Sequence, residues 1–246
     1  MIKSRNLSFR YPDAKTDTLH NLNFSVSKGA LICLLGSNGS GKSTLLTLLA
    51  GLYTDFQGVL LIGGFDSGRE QKQVRGLCAL VPQNPDLYLL GSTLREDMCL
   101  GLSYKREDKQ IDLRVGQLCA ALGLSGLEDV PIQTLSFGQR RKASLASALM
   151  RNPSLFLLDE PFSGLDYDAQ LHLRRMIIET RQQNITQVMA THDLDMAGDL
   201  ADDFILLKDG TILAQGGRDT VFPRLSQANV RPPCWWLHGE TGPKFI

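Results

Sequence analysis

The sequence has no net charge, no long apolar run and no paired cysteines, and each lack removes a class of protein. Its 26 basic residues balance 26 acidic ones, so the overall balance offers nothing to attract nucleic acid or an anionic membrane surface. No nucleic-acid partner is expected. No stretch approaches the ~18 consecutive apolar residues that span a bilayer, and Met1 to Arg10 contains no apolar segment of the signal-peptide kind. If the protein works at a membrane, another subunit is expected to hold it there. The cysteines, Cys33, Cys78, Cys99, Cys119 and Cys234, never form a C-x-x-C pair, which speaks against a zinc site or a disulfide framework. Buried or idle thiols in a reducing cytoplasm are expected instead. No internal repeat or low-complexity tract is present.

The hydrophobic pattern points to an α/β protein. Leu7, Phe9 and Tyr11, and again Leu22, Phe24 and Val26, alternate with polar residues as half-buried strands do. Leu31-Ile32-Cys33-Leu34-Leu35 is continuously apolar, as a strand covered on both faces would be. Leu155-Phe156-Leu157-Leu158 and Gln187-Val188-Met189-Ala190 read as two more buried strands. Strands separated by helical stretches predict a mostly parallel sheet with helices on both sides. Asp209-Gly210 between two apolar runs predicts a tight hairpin. Residues 85–151 are polar and helix-forming with no buried strand in view, so a helical subdomain is expected to interrupt a core formed by residues 1–84 and 152–222. Residues 223–246, with Pro232-Pro233 followed by Trp235-Trp236, read as an irregular tail. The two tryptophans suit either an exposed partner contact or packing on the chain's own core.

The chemistry begins where the first buried strand ends. Gly36-Ser37-Asn38-Gly39-Ser40-Gly41-Lys42-Ser43 satisfies the G-x-x-x-x-G-K-[ST] pattern completely, with Thr44 following. Glycines let successive backbone N–H groups turn inward around an anion. The helix that follows, with Leu45, Leu46, Leu48 and Leu49, aims its positive end at the same place. Lys42 supplies a charge for the β- and γ-phosphates of ATP, and the Ser43 hydroxyl can ligate Mg²⁺. A glycine-rich turn that binds nothing is the bland reading, but a buried strand before the loop and a buried helix after it favour a phosphate site.

Asp159 and Glu160 end the second buried strand. A carboxylate beside a phosphate loop can hold Mg²⁺, usually through water, and Glu160 is placed to polarise an attacking water. His192 follows the third buried strand, where it could contact the γ-phosphate. Tyr11 is a candidate for stacking on adenine.

Leu135-Ser136-Phe137-Gly138-Gln139, about twenty residues before Asp159, resembles the signature motif of ATP-binding cassette (ABC) proteins. The resemblance spans nearly the whole chain, with its motifs in the family's order. Tyr11 is similar to the aromatic adenine-stacking position, residues 36–44 to the Walker A loop and Gln83 to the Q-loop residue that senses Mg²⁺ and nucleotide. Ser136, Phe137, Gly138 and Gln139 match the signature, Asp159 the end of the Walker B strand, and Glu160 the catalytic glutamate. Ser163-Gly164-Leu165-Asp166 resembles the D-loop and His192 the switch histidine. The resemblance implies an ABC ATPase fold, with an antiparallel β subdomain beside the P-loop core. It also implies ATP and Mg²⁺ as cofactors and a second cassette as partner, because the family's signature caps ATP held by the other subunit. Phe137 departs from the glycine common at its position.

Val81-Pro82-Gln83-Asn84-Pro85-Asp86 and the stretch from Gly91 to Asp97 are similar to ATP-binding subunits of energy-coupling-factor type importers, especially those for cobalt and nickel. Pro82 and Leu87-Tyr88-Leu89 depart from that branch. The resemblance implies transmembrane partner subunits and a peripheral position at the cytoplasmic face of the membrane. An importer cassette for another substrate, such as biotin, an amino acid or an iron complex, is the main alternative. A soluble non-transport cassette ATPase fits less well, because such proteins usually carry two cassettes or a long coiled coil. A P-loop kinase or GTPase would have no use for residues 136–139. Lys42→Ala is expected to give a folded protein with greatly weakened ATP binding; wild-type affinity in equilibrium titration would overturn the phosphate-loop assignment.

Overall fold

A computed structural model describes residues 1–102 and 109–243. Residues 103–108 of the expected helical subdomain and 244–246 of the expected tail lie outside the described residues. The first half carries β1 (Ile2–Phe9), β2 (Leu19–Val26), β3 (Leu31–Leu35), α1 (Lys42–Leu49), β4 (Gln57–Ile62), β5 (Phe65–Asp66), α2 (Gln71–Leu77), β6 (Cys78–Val81), α3 (Leu94–Cys99) and α4 (Lys109–Ala121). The second carries α5 (Phe137–Met150), β7 (Leu155–Asp159), α6 (Tyr167–Gln182), β8 (Thr186–Ala190), α7 (Leu194–Ala197), β9 (Asp203–Lys208), β10 (Thr211–Gly216), α8 (Arg218–Val221) and α9 (Cys234–Leu237).

Two sheets result, in the orders β2-β1-β4-β5 and β10-β9-β3-β8-β7-β6. The first is antiparallel throughout. In the second, β9, β3, β8, β7 and β6 run parallel, and β10 closes the edge as the antiparallel arm of a hairpin. Asp209 and Gly210 at its tip have φ of 47° and 72°, the doubly left-handed turn that the Asp-Gly pair favours. The tip docks on the other sheet, with His20 N–H donating to the Gly210 carbonyl at 2.8 Å. A Cβ at Gly210 would stand 2.3 Å from the Thr18 carbonyl oxygen, so no side chain fits there.

The strand period sorts the core into two layers. On β3, Ile32 and Leu34 face α1 and the antiparallel sheet, together with Leu155, Leu157, Val188 and Ala190. Leu31, Cys33 and Leu35 face the other way, against helices that include α5 and α6. Continuously apolar strands follow from this, since both faces are covered. The edge strand β6 has the same signature in Cys78-Ala79-Leu80-Val81, a short apolar run that is legible once its neighbours are known.

Between β6 and β7 the described residues contain helical segments and one isolated bridge, Thr93 to Pro131. Tyr11, grouped above with the strand pattern of Leu7 and Phe9, lies just beyond the end of β1. The tail differs from the irregular stretch expected. Phe222–Ala228 forms a 3₁₀ segment and Cys234–Leu237 a short helix. Trp235 is buried in the same core layer as Phe204 and Phe222, with its ring 5.9 Å from that of Phe222. Trp236 also stacks edge-on to Phe222 at 5.2 Å. Cys234 N–H donates to the Asp195 carboxylate at 2.6 Å, fastening the tail to α7. Apolar burial of two large rings outweighs the turn-forming prolines that made the segment look unstructured. Trp235→Ala is therefore expected to lose about 3–5 kcal/mol of stability in denaturant unfolding, the usual range for deleting a buried aromatic; a change within about 0.5 kcal/mol, as at an exposed site, would show that the tail does not pack.

Candidate active site

Parallel register assembles the site. Leu34 of β3 stands opposite Ala190 of β8, and Ala190 stands opposite Asp159 of β7. The three strands therefore end side by side, and the chain leaves each at the same edge of the sheet. Gly36 follows one, Glu160 the second and His192 the third. Ligands of open α/β sheets bind at that carboxyl edge.

The loop after β3 has glycines where side chains cannot go. Gly36 has φ of 151°, and a Cβ there would stand 2.4 Å from Ser40 Oγ and 2.5 Å from the Leu207 carbonyl oxygen. Gly41, with φ of 101°, is the N-cap of α1 and makes no side-chain capping bond. The first turn of α1 also holds no acidic residue, so its positive end faces the loop without an internal anion to neutralise it. Lys42 is buried and folds back, donating from Nζ to the Gly36 carbonyl at 2.8 Å and the Ser37 carbonyl at 3.1 Å. Burial lowers its pKa, while Glu160 and Asp159 nearby act in the opposite direction.

Asp159 lies below the loop. Burial pushes its carboxyl above the usual range; a hydrogen bond from Ser43 opposes this, the Glu160 charge adds to it, and Lys42 and Arg141 counter it. Its Oδ1 is buried without a hydrogen-bond partner, as is Ser40 Oγ in the loop. Orphaned buried oxygens are rare because desolvation is costly. Asp159 with its free Oδ1, the Ser43 hydroxyl bonded to the same carboxylate and the adjoining phosphate cradle together suit Mg²⁺, which takes oxygen ligands and shares them with substrate phosphates.

Glu160 has φ of 47°, the left-handed region that a non-glycine residue seldom adopts. Its N–H donates to the Ala190 carbonyl at 2.8 Å. Its Oε2 lies 2.8 Å from His192 Nδ1. The glutamate side chain is 8% exposed and the histidine 66%, so the pair bridges the buried acid and the open face of the site.

Tyr11 sits beside the loop, with its hydroxyl 3.1 Å from Thr44 Oγ1. Its ring packs edge-on against Phe9 at 4.9 Å and Tyr53 at 5.5 Å; Tyr53, an aromatic neighbour that the sequence reading missed, carries no motif to single it out. Ser37 and Gly39 lie in the loop, and Asn38 is exposed beside them. Gln83 is exposed at the end of β6.

Ser136, Phe137, Gly138 and Gln139 stand apart from this group. Ser136 caps α5 in a reciprocal capping box with Gln139: its Oγ accepts from Gln139 N–H at 3.2 Å, and its own N–H donates to Gln139 Oε1 at 2.8 Å. Phe137 is exposed and lies over Gly164, where a Cβ would come within 2.8 Å of the ring. Asp166 caps α6 by accepting from Ala169 N–H at 2.8 Å. Among the described residues, no hydrogen bond joins residues 136–139 to residues 36–44. The signature faces outward in its own chain.

One residue escaped the sequence reading altogether. Arg141 looks like part of a solvated basic run, Arg140-Arg141-Lys142, yet it is fully buried. Nothing in its local sequence separates it from its neighbours.

Known proteins resemble this chain in sequence and in fold. The family model described as ABC transporter matches residues 19–163. The energy-coupling factor transporter ATP-binding protein EcfA of Methanocaldococcus jannaschii is 34% identical over 240 residues, covering 95% of this chain and 86% of its own. The cobalt import ATP-binding protein CbiO of Rhodobacter capsulatus is likewise 34% identical over 240 residues, covering 95% of this chain and 85% of its own. Among solved structures, cbiO1 from Clostridium perfringens, part of the ABC transporter complex cbiONQ, superposes with a TM-score of 0.78 at 28% identity over 94% of both chains.

Proposed function

This chain belongs to the ABC transporter family as an ATP-hydrolysing cassette, and from that premise we propose that it powers a membrane importer by closing on a second cassette. The observation that carries the reading is the row of strand ends that brings the phosphate loop, Asp159, Glu160 and His192 to one edge.

In this reading the loop backbone and Lys42 hold the β- and γ-phosphates of ATP. Tyr11 stacks on the adenine. Ser43, Asp159 and Gln83 would hold Mg²⁺, which when bound neutralises charge on the phosphates. Glu160 orients the attacking water and takes its proton, and His192 fixes the carboxylate through its ring nitrogen. Ser136, Phe137, Gly138 and Gln139 of the opposing cassette cap the γ-phosphate, with Asp166 beside them at the interface. Their separation from the loop within one chain supports a site completed by two copies or by a related cassette.

The membrane partner has a place to dock. A groove of about 530 Å³ is lined by Leu80 of β6, by Leu87, Tyr88, Leu90 and Leu100, and by Arg151. Leu87, Tyr88, Leu90 and Leu100, 69%, 41%, 79% and 41% exposed, cluster on its lining, and a clustered exposed apolar patch marks an interaction site. We assign the groove to a cytoplasmic helix of a transmembrane subunit. No helix among the described residues is long and apolar enough to cross a membrane, so the chain would sit peripherally at the cytoplasmic face. The cargo we propose is cobalt or nickel, carried by the partner subunits; the Gln83-Asn84-Pro85 stretch and the similarity to a cobalt import ATPase support it.

Two experiments test this. Glu160→Gln should trap ATP and hold two cassettes together, with turnover falling by about 10²–10⁴-fold, the usual worth of a general base; undiminished steady-state hydrolysis would rule Glu160 out as the base. Purification from native membranes should recover the chain with transmembrane subunits that take up cobalt or nickel in vesicles. Recovery free of any membrane partner would overturn the transporter reading, and uptake of a different cargo would overturn the metal assignment alone.

A further inference from the structure

The largest side chain fully buried among the described residues is a charged one. Arg141, with 0% exposure, lies in the second turn of α5 behind the signature. Its guanidinium reaches two other segments of the chain. Nη1 donates to the Pro82 and Gln83 carbonyls, each at 2.5 Å. Nη2 donates to the Asp159 carbonyl at 2.8 Å and to the Glu160 carbonyl, and Nε reaches the Pro161 carbonyl at 3.4 Å. Each acceptor is a main-chain oxygen.

Space-filling does not account for this arrangement. Well-packed apolar residues often replace buried charges at no loss of stability. What an apolar residue cannot do is donate to five carbonyls from two separate segments at once, which the rigid five-donor fork of arginine can. Burial brings the guanidinium down to about 10, with Asp159 and Glu160 opposing the shift, so it is charged at neutral pH.

The backbone it grips needs holding. Glu160 sits at φ of 47°, and conformations of that kind persist only where surrounding structure over-determines them. The Ala190 carbonyl takes the Glu160 N–H from one side, while Arg141 takes the Glu160 carbonyl and both its neighbours from the other. Rotation of that peptide would swing the carboxylate away from His192. The same guanidinium holds Pro82 and Gln83, which connect Leu80 to Leu87, two residues that line the docking groove together with Ser144, Ser147 and Ala148 of α5.

We propose that Arg141 is a positioning residue for ATP hydrolysis: it fixes the Glu160 main chain and ties it to the Pro82–Gln83 segment, so that α5, the groove and the acidic strand end move as one. This rests on the reading of Glu160 as the base. It makes Arg141 the joint through which a docked membrane helix reaches the chemistry, without Arg141 touching nucleotide.

The test uses the full chain purified with its membrane subunits and carrying Arg141→Lys or Arg141→Gln. Lysine keeps the charge and loses the fork. Its kcat should fall by about tenfold or more, since small misplacements of catalytic groups are costly, while ATP affinity stays within about threefold. In a Glu160→Gln background the same lysine change should lower residual single-turnover hydrolysis by less than about twofold, because both changes act on one group. Full kcat in Arg141→Lys, or an equal fold-loss in both backgrounds, would overturn the proposal. So would failure of both Arg141 variants to fold, which would make the residue a support for the whole chain. Equal turnover by wild type and Glu160→Gln would instead remove the reading of Glu160 and the positioning role with it.

Discussion

The parallel pairing of β3, β7 and β8 sets the terms for the rest of the molecule. Leu34, Ala190 and Asp159 lie far apart in sequence and in one row across the sheet. Hydrogen bonding satisfies the strand interiors, and burial on both faces keeps them apolar, so polar chemistry is confined to where the strands stop. Each strand stops with a different group: a glycine loop, a pair of carboxylates, a histidine. A slip of register in any strand would scatter them, and the two-layered core resists such a slip, because a one-residue shift would exchange the residues of the two layers.

Placing charge at the edge of an apolar sheet has electrostatic consequences. Lys42, Asp159 and Arg141 are all buried, and burial is the leading cause of each pKa shift. Their mutual attraction offsets part of that cost without removing it. Asp159 Oδ1 and Ser40 Oγ are left without partners, and Lys42 lends its ammonium to loop carbonyls. A site so arranged is poised for an anion with an accompanying cation. Interactions made there in a low-dielectric setting are stronger than the same ones in water.

The surfaces around the site divide the labour. The signature end of α5 is built to face outward, with its first turn capped by its own side chains and Phe137 resting on Gly164. The groove with Leu87 and Leu90 opens along α5, where Ser144, Ser147 and Ala148 line it. The tail holds α7, which follows His192, through Cys234 and Asp195. Arg141 stands where the first two of these meet the acidic strand end. In the proposed reading a docked membrane helix acts on the site through these segments, and a fully bonded buried charge stiffens the place where they meet.

Local patterns in the sequence determined much of this. Apolar runs marked β3, β7 and most of β8, because strands buried on both faces are mainly apolar; Thr186 and Gln187 of β8 are the buried exceptions, and Gln187 Nε2 donates to the Ile177 carbonyl. Asp209-Gly210 marked its hairpin, because few other pairs adopt two left-handed conformations cheaply. The order of the glycine loop, the signature, the acidic pair and His192 pointed to the family before any of them could be placed in space. Tertiary structure alone decided the rest. Strand β6 is as short and apolar as the run that marked β7, and its pairing with Leu155–Leu158 is what shows it to be a strand; the packed tail is governed by ring contacts with Phe222 that no local pattern encodes. Arg141 is the clearest instance: within Arg140-Arg141-Lys142 it reads as one more solvated cation, and only the convergence of three distant segments makes it the buried one. Periodicity reports which face of an element is apolar; it cannot report which carbonyls of another segment will need a donor.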